Sequence, residues 1–284
     1  MSTRQALRDL MNGKDPFVAA DCYSALTARI IEHIGFKAAY MGGHATGMMH
    51  YAVPDCGVLT PTEMIEQAAR VAETIGIPVI ADADQAGESV ADVYRSVGRY
   101  ERAGVAGIHI EDEIAPKHSA YDGPLLSIPD MQARIAAAVD GRTDPDFVII
   151  VRTDELYENG GGGSGSLDEA IARGVAYAEA GADAFLPTFA TEEQIPLIAA
   201  EVNIPVGAYG KLVPGMQFSL FTGFGTAAAA RAHFELATYL FEHGELPPVA
   251  FGFPEKDALI NQGPYDSIVK DWASRTGRPI RGVG

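Results

Sequence analysis

Cysteine is nearly absent: Cys22 and Cys56 are the only two in 284 residues. That excludes a disulfide framework and argues against a thiolate metal site. Basic residues are scarce as well, with 21 Lys and Arg against 38 Asp and Glu and a net charge of −17. Such a surface repels nucleic acid and anionic membranes, so neither is expected as a partner. No apolar run approaches the roughly 18 residues that span a bilayer. Residues 1–6 carry no hydrophobic signal core, and a cytoplasmic protein is expected. What remains is ample apolar material, 47% of the residues, and no linker divides it. That is enough for one large α/β barrel or two ordinary domains.

This material is arranged as a loose repeat. A helical stretch closes on Gly and a short apolar strand follows, in Ile34-Gly35-Phe36-Lys37-Ala38-Ala39-Tyr40, in Ala103-Gly104-Val105-Ala106-Gly107-Ile108 and in Ala180-Gly181-Ala182-Asp183-Ala184-Phe185. Glycine closes a helix in the left-handed conformation. At Ile77-Pro78-Val79 and Ile204-Pro205-Val206, proline stops one helix and starts the next strand. Strands are expected at Phe17–Ala20, Ala38–Met41, Val79–Asp82, Gly107–Glu111, Phe147–Arg152, Ala184–Pro187, Val206–Tyr209 and Gln217–Thr222. Helices are expected over Pro61–Thr74, behind a Thr60 cap with Glu63 three residues on, and over Ser89–Arg102, Ser166–Ala180, Thr191–Glu201 and Thr226–Glu242. Continuous apolar strands alternating with helices mean a parallel sheet. Eight such units at this length fit a closed (β/α)8 barrel of the TIM type. The barrel is assigned to residues 1–246. Residues 247–284, with short helices at Glu255–Ile260 and Tyr265–Ser274, form a C-terminal helical extension of the same domain that packs on the barrel or on a partner subunit. Gly160–Gly165 lies between a strand and its helix, as a loop over the mouth or as a surface bulge.

Three strands end in a burst of charge. Val79-Ile80-Ala81 runs into Asp82-Ala83-Asp84, Gly107-Ile108-His109-Ile110 into Glu111-Asp112-Glu113, and Val148-Ile149-Ile150-Val151 into Arg152-Thr153-Asp154-Glu155. In a parallel barrel such tips converge on one mouth. Asp82 and Asp84, two apart on an extended segment, leave the same side, and Glu111 approaches from the next tip. Hard oxygen ligands in a partly hydrated cluster suit Mg²⁺; helix capping or pairing with lysine is the alternative for each carboxylate alone. Arg152 can grip a carboxylate with two parallel hydrogen bonds, belonging to a substrate or to Asp154 or Glu111. Tyr40-Met41-Gly42-Gly43-His44-Ala45-Thr46 follows a strand, and its glycines either bring backbone N–H groups to an anion or make a tight turn. Ala115–Gly123, with Lys117, His118, Ser119 and Tyr121, is long for a joint and rich in proton-transfer groups, as a lid or a plain surface loop. His109 is read as a barrel residue, and the histidines show no metal-ligand spacing.

The ordered set Asp82-Ala83-Asp84, Ile110-Glu111-Asp112 with Pro116-Lys117, and Val151-Arg152-Thr153-Asp154 resembles the isocitrate lyase and phosphoenolpyruvate mutase superfamily, as does the opening Ala20–Arg29. The resemblance implies a (β/α)8 barrel, Mg²⁺ with Mn²⁺ as a substitute, and small 2-oxo or 2-hydroxy acid substrates. It also implies a C-terminal helix exchanged between subunits of a homotetramer, a dimer of dimers. Position by position it implies Asp82, Asp84 and Glu111 at the metal, Asp55 as an acidic group near it, and Lys117 as the lid lysine. Arg152 and the Gly42–Gly43 amides would hold the substrate carboxylate, with Tyr40 beside them. His44, Thr188 and Tyr209 complete the substrate side, and Ser119 and Tyr121 join Lys117 as catalytic candidates.

Departures fall where the exact reaction is specified. Lyases of isocitrate or methylisocitrate carry Lys-Arg-Cys-Gly-His in the lid, the cysteine acting as general acid. Here the stretch is Lys117-His118-Ser119-Ala120-Tyr121, and a serine hydroxyl is too weak an acid to replace a thiol. Gly42 replaces a serine. Gln85-Ala86-Gly87-Glu88-Ser89 replaces Asp-Thr-Gly-Tyr-Gly. Leu186-Pro187-Thr188 lacks a glutamate and Val206–Gly210 an asparagine, so Tyr209, Lys211 and Phe218 make the second half of the pocket bulkier or more aromatic. The expected activity is a Mg-dependent lyase or decarboxylase that cleaves a C–C bond in a small dicarboxylic acid through an enolate, giving pyruvate or a related 2-oxo acid. Tyr121, Lys117 or His118 would move the proton. A phosphonopyruvate-type C–P hydrolase or mutase, and a non-catalytic metabolite-binding barrel, are the alternatives.

Overall fold

Eight short strands build the frame: β1 Phe17–Asp21, β2 Ala38–Met41, β3 Val79–Asp82, β4 Gly107–Glu111, β5 Val148–Thr153, β6 Ala184–Pro187, β7 Gly207–Tyr209 and β8 Phe218–Phe221. All pair in parallel, in the order β6-β5-β4-β3-β2-β1-β8-β7. A bridge from Phe185 to Val206 joins the two outer strands, so the sheet is a nearly closed TIM-type barrel. The computed structural model describes residues 1–120, 123–157, 162–247 and 256–279. Tyr121, Gly160 and Gly161 of the glycine-rich stretch, and Glu255 at the start of the expected C-terminal helix lie outside them.

The helices are α1 Thr3–Met11, α2 Ala25–Ile34, α3 Gly43–Thr46 with a π-turn over Gly47–Tyr51, α4 Pro61–Ala72, α5 Val90–Arg102, α6 Ile128–Gly141, α7 Leu167–Glu179, α8 Gln194–Glu201, α9 Phe224–His243, α10 Lys256–Leu259 and α11 Gln262–Thr276. Their ends follow local chemistry. Gly35 ends α2 at φ 102°, a conformation that needs no Cβ. Thr60 and Glu63 cap α4 reciprocally, and Ser89 and Asp92 do the same for α5.

Strand alternation sorts side chains into two cores. Phe17, Ala19, Ala38, Tyr40, Ile80, Val148, Ile150, Leu186, Phe218 and Leu220 pack inside the barrel. Ala20, Met41, Ala81, Ile108, Ile110, Ile149, Val151 and Phe185 face outward onto the helices. The inner core continues into Leu7 and Met11 of α1, a helix the sequence reading did not include. Arg4 of this helix pairs with Asp144 at 2.8 Å and Arg8 with Asp183 at 2.6 Å, which fixes α1 against the strand entrances. The opposite end is left for chemistry.

By its contacts the chain divides into two units, Met1–Ala230 and Arg231–Gly284, with α9 running through the division. In the second unit α11 exposes Tyr265, Ile268, Val269 and Trp272, an apolar stripe at helical spacing. Among the described residues no helix is long and apolar enough to cross a membrane.

Candidate active site

The same alternation decides which groups reach the mouth. Asp21 continues the inward series of Phe17 and Ala19, Asp82 that of Ile80, and Arg152 that of Val148 and Ile150. Ile108 and Ile110 face out, so His109 and Glu111 face in. Asp82, His109, Glu111 and Arg152 are all buried.

These groups are tightly cross-linked. The Arg152 guanidinium forks onto Asp154, with Nε to Oδ1 and Nη2 to Oδ2 both at 2.6 Å, and its Nη1 lies 2.9 Å from Glu111. Lys117 is buried, with Nζ 2.6 Å from Asp84, 2.8 Å from Glu111 and 3.7 Å from Asp55. His118 lies between three elements. Its Nε2 is 3.3 Å from Glu113 and 3.9 Å from Asp154, and its Nδ1 is 3.2 Å from the Asp55 carbonyl oxygen. Hydrogen bonds accepted by the Asp154 and Asp55 carboxylates push the His118 imidazole up to about 10. Lys117 and His118 therefore lie over the carboxylates. Ser119, by contrast, is exposed, and its hydroxyl donates to the Pro116 carbonyl at 2.7 Å.

One geometric expectation changes. Asp84 is not on an extended segment: its φ is 47°, and its N–H donates to Asp82 Oδ1 at 2.9 Å in a tight turn. Asp84 reaches Lys117, while Asp82 and Glu111 meet His109, their ligand atoms within 4.8 Å of one another. The Gly42–Gly43 pair makes a turn that starts α3, and the Gly43 N–H donates to Asp82 Oδ2 at 2.8 Å. A Cβ on Gly43 would stand 2.9 Å from that oxygen, so only glycine allows the approach. Tyr40 sends its hydroxyl to His109 Nε2 at 2.9 Å. Thr188 is buried and its hydroxyl has no hydrogen-bond partner; Tyr209 is half-buried; His44 is exposed.

Negative charge is in excess here. Burial would raise Asp82, but His109, Lys117 and Arg152 outweigh it and hold its carboxyl below the usual range. Asp154 is likewise held down against burial by Arg152 and His118. Burial pushes Asp84 and Glu113 each up to about 7, because the nearby carboxylates add to burial and the cations do not compensate. Among the described residues neither Glu111 oxygen has a hydrogen-bond partner; Oε1 faces the Lys117 ammonium and Oε2 the Arg152 guanidinium. Buried anionic oxygens in surplus, beside a histidine whose basicity burial lowers, fit a hard divalent cation. A cavity of about 240 Å³ opens beside them, lined by Val58, Leu59, Met64, Ala86, Asp84, Glu111 and Lys117.

Behind the mouth, Asp112 accepts from Thr153 at 2.6 Å, Tyr177 at 2.8 Å and Arg173 at 3.1 Å, and so braces the tips of β4 and β5. Sequence reasoning assigned no role to His109, Glu113 or Asp21. The signal for His109 was present: it is two residues before Glu111 and must share its face.

Comparison with known proteins adds the following. The family model described as phosphoenolpyruvate phosphomutase matches residues 7–229. The chain is 41% identical over 218 residues to 2,3-dimethylmalate lyase of Eubacterium barkeri, covering 76% of this chain and 73% of that protein. It is 36% identical over 205 residues to oxaloacetate decarboxylase of Rhodopseudomonas palustris BisA53, covering 72% and 69%. A phosphonopyruvate hydrolase structure in complex with oxalate and Mg²⁺ superposes with a TM-score of 0.81 at 27% identity, covering 94% of this chain and 98% of that one.

Proposed function

Since the chain belongs to the phosphoenolpyruvate mutase and isocitrate lyase superfamily, we propose that it breaks a C–C bond in a small 2-oxo or 2-hydroxy dicarboxylic acid, with Mg²⁺ or Mn²⁺ bound at Asp82 and Glu111. The observation that carries this reading is the inward-facing cluster of Asp82, Glu111 and Arg152 at one mouth. A cation held there supplies Lewis-acid polarisation of the substrate's 2-oxygen. Arg152 has five N–H donors; two are hydrogen-bonded to Asp154 and its Nη1 faces Glu111 as an ion pair, so N–H groups remain for the substrate's carboxylate. Gly43 serves by seating Asp82 rather than by receiving the carboxylate, since its N–H is committed. Lys117, Asp55 and His118 close the site and exclude water.

Within that reading we favour loss of CO₂ from a 2-oxo diacid. Among the described residues Lys117, Arg152 and Lys211 at the mouth are already paired with carboxylates. A second substrate carboxylate would thus lie unpaired in a negative field, which favours its departure as a neutral molecule. Decarboxylation also needs no acid to protonate the leaving fragment, consistent with the missing lid cysteine. The 41% identity to a dimethylmalate lyase supports retro-aldol cleavage of a 2-hydroxy diacid as the second reading. The apolar stripe on α11 supports a subunit contact, and we expect a cytoplasmic homotetramer, to be checked by light scattering.

The test is a substrate panel with Mg²⁺: oxaloacetate, 2,3-dimethylmalate and phosphonopyruvate, read as pyruvate with CO₂, pyruvate with propionate, and phosphate. Pyruvate from oxaloacetate should form well above the rate of free Mg²⁺ and stop with a chelator. Phosphate release from phosphonopyruvate would replace this reading with C–P hydrolysis. Ligand-induced thermal stabilisation without turnover would leave a binding protein.

A further inference from the structure

An enolate left by C–C cleavage must regain a proton at carbon, and the described part of the lid is poorly placed to give one. Lys117 is locked between Asp84 and Glu111, His118 is clasped by Asp55, Glu113 and Asp154, and Ser119 is turned to the Pro116 carbonyl. The opposite wall carries a better-placed group. Tyr209 ends β7 and faces inward, because its neighbour Ala208 packs outward with Ile195 and Met216. Its backbone is set by pairing with Leu220 of β8. Two positions below, Gly207 leaves room for the Phe218 ring, which a Cβ would meet at 2.3 Å, so the floor under Tyr209 is filled. The Tyr209 ring lies 6.0 Å from the Arg152 guanidinium, and its hydroxyl stands beside that of Tyr40, whose own hydroxyl is 2.9 Å from His109. Tyr209 is half-buried, which leaves a side for a ligand.

We propose that Tyr209 is the proton donor to the enolate carbon, an assignment that rests on the reading of this site as one that forms an enolate. A small acid held by Arg152, with its 2-oxygen toward Asp82 and Glu111, turns its third carbon to the β6–β7 wall, where Tyr209 stands. Bond breaking leaves an electron pair shared over C3, C2 and the 2-oxygen. The Tyr209 O–H breaks, its proton bonds to C3 with the enolate π pair, and the oxygen lone pair restores the C2 carbonyl. The phenolate faces the Arg152 guanidinium and recovers its proton from solvent water. Burial pushes the Tyr209 hydroxyl up to about 12, with Arg152 pulling the other way, so the donor stays loaded at neutral pH.

The experiment reads the reverse half-reaction, which does not depend on the leaving group. The enzyme with Mg²⁺ is incubated with pyruvate in D₂O, and loss of the methyl signal is followed by NMR. Wild type should exchange the methyl protons. Tyr209→Phe should lose exchange by more than about a hundredfold, and by at least about ten times more than it loses CO₂ release from oxaloacetate. Circular dichroism and calorimetric titration with oxalate and Mg²⁺ check the fold and the binding site, and Tyr209→Gln is the second variant if the phenylalanine form does not fold. Exchange at the wild-type rate in either folded variant, or no exchange by wild type, overturns the assignment of Tyr209. Phosphate release from phosphonopyruvate would instead refute the dicarboxylic-acid reading, and the exchange measurement would still decide on Tyr209.

Discussion

The two halves of the barrel mouth are built on opposite principles. From β3 to β5, Asp82, Asp84, Glu111, Glu113, Arg152 and Asp154 interlock with Lys117 and His118, and every fixed positive charge has an acidic partner. From β6 round to β1 the wall is Thr188, Tyr209 and the buried Asp21, with Phe189 stacked on Tyr157 at 4.2 Å on the rim. Under the proposed function the first half would hold a cation and a carboxylate whatever bond is broken. The second half would meet the part of the substrate that leaves or remains, and so would carry the choice of reaction. Family membership is written in the first half and individuality in the second.

Removing the anchor of the charged half has the largest expected effect. Asp82→Ala takes away an oxygen of the proposed cation site and the acceptor of the Gly43 N–H. We expect turnover to fall on the order of a thousandfold and calorimetric Mg²⁺ binding to be lost, with the barrel intact by circular dichroism. Retained activity would move the chemistry elsewhere. Arg152→Lys keeps the charge but loses the fork onto Asp154. Its kcat/KM should fall roughly a hundredfold, mostly through KM. A purely structural Arg152 would lower thermal stability and leave KM alone.

Asp21 tests whether the second half tolerates charge. Its Oδ2 accepts the Gly223 N–H at 3.1 Å, its Oδ1 is buried with no hydrogen-bond partner among the described residues, and burial pushes its carboxyl from 3.8 up to about 6. A carboxyl raised on folding makes the native state bind the extra proton. Stability is therefore fully present below the unfolded value near 4 and declines as pH rises toward 6. The stability of wild type relative to Asp21→Asn should drop by about 2 kcal/mol between pH 4 and pH 7, measured by urea unfolding at fixed Mg²⁺. A flat difference would mean that Asp21 has an unseen cationic partner.

Much of the frame was legible in the sequence. Ala38–Met41, Val79–Asp82, Gly107–Glu111 and Ala184–Pro187 are strands with the expected bounds, because apolar runs there are framed by glycine, proline or charge. The strand expected from Gln217 is shorter, Phe218–Phe221. Helices α1 and α6 were not foreseen. Only Leu7 and Met11 of α1 are buried, and their partners come from the barrel interior. Helix α6 starts at Ile128 behind the Ser127 cap with Pro129 in second place, a few residues after the lid segment, so its start reads as more loop. The acidic tips were legible, but the pairing was not. Which carboxylate takes Lys117 depends on loops far apart in sequence meeting over the mouth. The turn at Asp84 likewise depends on its N–H finding Asp82.

The gentlest way to sharpen the contrast is to give the second half a cation of its own. Phe189 is half exposed at φ 65° and follows Thr188 at the tip of β6. Phe189→Arg therefore adds no backbone strain beyond what phenylalanine already bears, and its guanidinium can remain stacked on Tyr157. A guanidinium on that rim pairs with the substrate's second carboxylate in the ground state but gains nothing when it departs as CO₂. Binding should tighten while cleavage slows, each by about fivefold, which is near 1 kcal/mol and typical of a partly exposed pair. The measurement is the split between KM and kcat for oxaloacetate, with phosphonopyruvate as the comparison substrate. A rise in kcat would mean that the departing group needs a positive charge in the transition state. That outcome would favour retro-aldol release of a carboxylate fragment over decarboxylation.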